Sequence, residues 1–96
     1  MAGQKTELVT LISNLKTRRN RIEKKLNNQE KVVDKIDNHI GVLMSRGQKK
    51  SSANIQRLEI KMDAELVALI HYYDLLEKLV NHISQVKQKL TSEFDV

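Results

Sequence analysis

The sequence contains no cysteine, no proline and no tryptophan, and its aromatic residues are one Phe and two Tyr. Without cysteine there is no disulfide framework, no thiolate metal site and no cysteine nucleophile, and the redox compartment is left open. Without proline the commonest helix breaker is missing, so long helices are expected. Glycine is reduced to three residues. No apolar run approaches the roughly 18 residues that would mark a membrane span. A cleavable signal pattern is also missing, so the expectation is a cytoplasmic protein before any specialised export.

What is present is 96 residues, 40% of them hydrophobic and 30% charged. Leu, Ile, Val, Lys and Glu dominate, the composition of helix or coiled coil. The net charge of +5 is uneven. Residues 1–53 carry twelve basic side chains against five acidic, whereas residues 54–96 carry five basic against seven acidic. Such an asymmetry fits attraction between the halves or a basic surface offered to something acidic.

Apolar residues of the first half fall at Leu8, Ile12, Leu15, Ile22, Leu26, Val33, Ile36, Ile40 and Leu43. The steps alternate four and three once Arg19 and Gln29 fill the two gaps, a mean period of about 3.5 that marks a left-handed coiled-coil seam. The second half repeats the pattern through Ile55, Leu58, Met62, Leu69, Tyr72, Leu76, Leu79, Ile83, Val86 and Leu90, with Glu65 as its one charged member. Between the two lies Ser45-Arg46-Gly47-Gln48-Lys49-Lys50-Ser51-Ser52. Gly47 suits the left-handed residue beyond a helix end, and Ser51 or Ser52 suits an N-cap. These signals predict one helical hairpin over residues 1–96, with helix 1 at about 6–45, a turn at about 46–51 and helix 2 at about 52–92. Gly41 inside helix 1 fits either fraying near the turn or close approach by a partner's backbone.

Two helices of equal length joined by a short turn fold back antiparallel. If their seams face each other, the numbers of facing residues sum to a constant. Leu43 with Ile55, Ile36 with Met62, Leu26 with Tyr72, Leu15 with Ile83 and Leu8 with Leu90 all sum to 98, as do the remaining pairs. The expected fold is therefore an all-α, antiparallel two-helix coiled-coil hairpin. Its core is thin, so it is expected to complete a helical bundle with a partner or a second copy.

The expected binding surface lies on helix 2. Leu66, Tyr73 and Val80 form a stripe with a spacing of seven beside the seam, Leu75 lies on the other flank, and Ile70 and Val67 lie further round. A contiguous apolar surface of this kind implies a docking partner, unless lysine and arginine stems cover it. The seam residues Arg19, Gln29 and Glu65 cost stability and are expected to set register and partner choice.

Catalysis is not expected. His39, His71 and His82 are too dispersed to share a metal, and the pair His71 and Asp74 is more simply a solvated pair than a two-ligand site. There is no phosphate-cradling glycine loop and no nucleophile beside a base, so no cofactor and no small-molecule substrate are expected. Arg18, Arg21 and Lys25 form a positive stripe which, with Arg46, Lys49 and Lys50 of the turn, supports an alternative in which the hairpin grips nucleic-acid phosphates. No aromatic is interleaved there for base stacking. A structural homo-oligomer is the third possibility.

Chain length and the mid-chain turn resemble the small helical hairpins of type VII secretion, which pair with another helical hairpin and accompany a secreted protein. Where that family has Trp-x-Gly this chain has Ser45-Arg46-Gly47, and Tyr73-x-x-x-Glu77 stands mid-helix rather than in a tail. Helical-hairpin chaperones of type III secretion are similar through the Arg-rich, Gln-containing stretch from Arg18 to Lys31. Both resemblances are architectural and assign neither a family nor a functional residue. They imply a small chaperone, adaptor or targeting factor for an exported or assembled protein.

Overall fold

A computed structural model describes residues 2–94, and those residues form two helices, α1 (Ala2–Ser45) and α2 (Ala53–Phe94), packed against each other as an antiparallel hairpin. There is no strand among the described residues. α1 starts four residues before the expected position. Ala2, Gln4 and Lys5 carry no seam residue, but Ala, Gln and Lys all favour helix, and propensity extends the element beyond its packing pattern. α2 begins at Ala53 and runs to Phe94, whose side chain is half-buried.

Local chemistry sets both ends of the turn. Gly47 has φ of +90°. Its N–H donates to the Met44 carbonyl at 3.0 Å, and the Gln48 N–H donates to the Leu43 carbonyl at 3.1 Å. This pair of reversed bonds is a Schellman motif, which satisfies two carbonyls that the helix end would leave open. At the start of α2 the Ser52 hydroxyl accepts from the Ile55 N–H at 3.3 Å, the N-cap geometry. Gly47→Ala is expected to lose about 1–2 kcal/mol, because its Cβ would force an L side chain into the left-handed region. α1 runs unbroken through Gly41 to Ser45, and a Cβ on Gly41 would meet nothing within 4 Å. Gly41→Ala should gain about 1 kcal/mol from helix propensity alone. Urea unfolding followed by circular dichroism should show the two substitutions moving the midpoint in opposite directions.

The helices contribute to two compact units. The first joins α1 up to Lys24 with α2 from Tyr73 onward, and the second is Lys25–Tyr72, including the turn. In the first, Ile12, Leu15, Leu79, Ile83 and Val86 form a buried cluster, with Leu8, Ile22 and Leu90 packed on it. In the second, Leu26, Ile36 and Ile55 are buried, Ile55 completely. Every buried side chain belongs to the seam, and every seam position is at least half-buried. Four-three spacing thus predicted which face of each helix leaves water. The core is this seam and nothing more, which leaves the outer faces of both helices to solvent.

Candidate functional site

The three polar seam residues behave differently. In the second unit the Gln29 side-chain amide donates to the Glu65 carbonyl at 2.8 Å and also to the Glu65 carboxylate. Facing numbers in the seam pair Gln29 with Leu69 and Val33 with Glu65. The two long polar side chains instead meet one turn along, where each satisfies a group that would otherwise be buried unpaired. Glu65 therefore finds its hydrogen-bond donor within the chain. Arg19, in the first unit, is less well served. Its Nε is buried without a hydrogen-bond acceptor, and the Glu23 carboxylate lies 3.9 Å away, beyond hydrogen-bond range. The stem of Arg19 nonetheless fills its seam position, and the side chain is 32% exposed, so the guanidinium reaches water.

The outward apolar residues of α2 stand out from the rest of its surface. In the second unit Ile60, Val67 and Ile70 are 71%, 67% and 66% exposed, and in the first unit Tyr73 and Val80 are 48% and 46% exposed. Leu66 and Leu75 are half-buried against the seam. Leu75 shares a shallow recess with Arg18, Ile22, Lys78, Leu79 and His82, so cationic stems do stand beside it. They do not stand beside Val67 and Ile70, since no lysine or arginine of α2 lies within four residues of either. Val67 and Ile70 are therefore not covered by cationic stems of their own helix, whereas Ile60 has Arg57 and Lys61 beside it. Ile60 was not among the expected surface residues. It sits alone between Arg57, Glu59, Lys61 and Asp63, and only its spacing of seven from Val67 ties it to the outward face.

α1 has outward apolar residues as well, among them Val9, Leu11, Val32 and Met44, together with Val42, which the periodicity did not single out. They are scattered among polar side chains. The cations Arg18 and Arg21 of the first unit, and Lys25, Arg46, Lys49 and Lys50 of the second, are all exposed and make no ion pair among the described residues. Asp74 pairs with Lys78 at 3.0 Å. The His71 ring lies against Tyr72, with centroids 6.1 Å apart. Among the described residues no group of three or more His, Cys, Asp or Glu is placed to hold a metal ion. No described helix is long and apolar enough to cross a membrane.

What the arrangement offers is a hairpin with a mostly apolar seam and, in each unit, exposed apolar side chains on α2. No family model, curated protein or solved structure matches the chain.

Proposed function

We propose that the protein is a non-enzymatic interaction module, a helical hairpin that presents the outward face of α2 to a helical partner. The observation that carries this is the exposure of Ile60, Val67 and Ile70, the three most solvent-exposed large hydrophobic side chains, on one helix. Soluble surfaces seldom concentrate apolar side chains in this way unless something docks on them. A helix with an open apolar face gains from packing ridges into the grooves of another helix. The work of such a module is to supply two pre-formed helices to a bundle and to shield apolar surface on what it binds. A small chaperone, adaptor or targeting factor for an exported or assembled protein is the most concrete form of this role. Leu66, Ile70, Tyr73, Leu75 and Val80 are the contact residues first expected for it, and the exposures of Val67 and Ile60 add those two. Arg19, Gln29 and Glu65 hold the hairpin in the register that presents the face.

The rival in which Arg18, Arg21, Lys25 and the turn cations hold phosphates rests on their unpaired exposure, and salt separates the two. The complex with a helical partner, followed by light scattering on the chain alone and with the protein that copurifies with it, should persist from low to moderate salt. It should be lost in Ile70→Ser and kept in Arg18→Ala. Phosphate binding would instead fall steeply over that salt range and fail in Arg18→Ala. An unaltered folded monomer at every concentration, with no copurifying protein, would overturn the docking role.

A further inference from the structure

The face on α2 of the second unit has a charge pattern that selects its occupant. Asp63 is exposed and has no ion pair among the described residues. It stands three residues after Ile60, four before Val67 and seven before Ile70, so its carboxylate lies on the helix surface that the three apolar side chains share. Exposed Glu59 beside Ile60 is offset by exposed Arg57 and Lys61, so the uncompensated carboxylate is that of Asp63, next to Val67 and Ile70. From Met62 to Tyr72 there is no lysine or arginine, although the whole chain carries +5. The negative character of this face is therefore local and runs against the charge of the molecule that bears it.

Resting on the reading that this face docks a helix, we infer that its occupant is an amphipathic helix of a different protein, with lysine or arginine beside its apolar stripe. A docked helix covers Asp63 together with Val67, and a carboxylate removed from water without a counter-charge is costly. A cation on the partner opposite Asp63 removes that cost and fixes the docking register. A second copy does not meet this requirement. Packed face to face, it brings the same cation-free stretch and leaves two carboxylates unpaired. Packed with its basic α1 against this α2, it brings cations but an outer face whose apolar residues are scattered among polar side chains, so the side chains around Val67 meet no apolar stripe.

The test uses two synthetic helical peptides with the same leucine stripe, one flanked by lysine and one by glutamate, each titrated against the intact chain by fluorescence anisotropy. The lysine peptide should bind saturably and about tenfold more tightly than the glutamate peptide, a difference of the size expected for a rim charge meeting its opposite rather than its like. Asp63→Lys should reverse that order, and Val67→Ser should weaken both peptides. Circular dichroism confirms that each variant keeps its helix content, and both substitutions lie at exposed positions. Equal or tighter binding of the glutamate peptide to the unsubstituted chain would overturn the charge assignment while leaving apolar docking in place. Binding of neither peptide would overturn the docking reading itself. Self-association that is lost in Val67→Ser and competes with the lysine peptide would make a second copy the occupant and overturn the inference.

Discussion

Ile55→Ala is expected to destabilise the hairpin by about 2–5 kcal/mol, the range for emptying a buried Ile position that cannot collapse. Among the described residues Ile55 is the one large side chain with no solvent exposure at all. It sits three residues past the Ser52 cap that receives its own N–H, so its backbone and side chain are fixed together. A small domain typically has ~5–15 kcal/mol of stability, and a two-helix seam has few other residues among which to share a loss. The substitution should therefore lower the melting temperature by about 8–40 °C, at roughly 4–8 °C for each kcal/mol in a chain of this size. Ile60→Ala is the matched control. It removes the same side chain from a site exposed to water and should change stability by no more than about 0.5 kcal/mol. Equal losses in the two variants, read from thermal unfolding by circular dichroism, would mean that the seam is not the core.

The second large effect is expected from the polar pair in the seam. Gln29→Leu removes the donor to a part-buried carboxylate and should cost about 1–3 kcal/mol, most of it the penalty of leaving Glu65 unsatisfied. Replacing both residues, Gln29→Leu with Glu65→Leu, deletes the pair and completes the apolar seam. Burying a leucine contributes about 1.5–3 kcal/mol, so the double variant should be more stable than the unsubstituted chain. The single changes should then be non-additive by about 1–2 kcal/mol, as expected of residues in contact. The gain in stability should carry a loss in definition, because polar seam residues hold register and helix number. Sedimentation of the double variant should show a broader distribution of species. Additive effects, or a double variant weaker than either single one, would show that the Gln29–Glu65 bond has no energetic role.

Most of the fold was legible in the chain, and the reason is periodicity. The seams of α1 and α2 are readable separately, and the constant sum of facing numbers joins them into an antiparallel hairpin. Gly47 and a cap at Ser51 or Ser52 were legible for a different reason, since a left-handed residue and a side-chain acceptor are what helix ends require, and the structure selects Ser52. The pattern failed where packing stops deciding. It set the start of α1 at about residue 6, because the seam begins at Leu8, whereas Ala2, Gln4 and Lys5 extend the helix by propensity. Facing numbers also treat side chains as points, so they do not show that Gln29 bonds to Glu65. Gln and Glu are long enough to reach along the seam and find each other one turn away.

The site was less legible than the fold. Leu66, Ile70, Tyr73, Leu75 and Val80 were selected by periodicity alone, which does not separate half-buried Leu66 and Leu75 from strongly exposed Ile70. Ile60 lies outside the stripe that the spacing picks out, yet it is the most exposed large hydrophobic residue described. An apolar docking face carries no catalytic constellation and no motif. Under the proposed docking role, its meaning would lie in the shape and charge of a partner, and the carboxylate of Asp63 is what bears on that partner's chemistry.

The central claim is that α2 docks another protein through the side chains around Val67, and site-specific photo-cross-linking tests it most directly. A photoreactive residue placed at Val67 in the chain, expressed in the cells it comes from, should give one discrete adduct with a different protein. The attachment should map to a helical segment with lysine or arginine beside its apolar face, and the same group at exposed Lys24 should give no such adduct. Adducts only between copies of this chain, or equal adducts from both positions, would contradict the account.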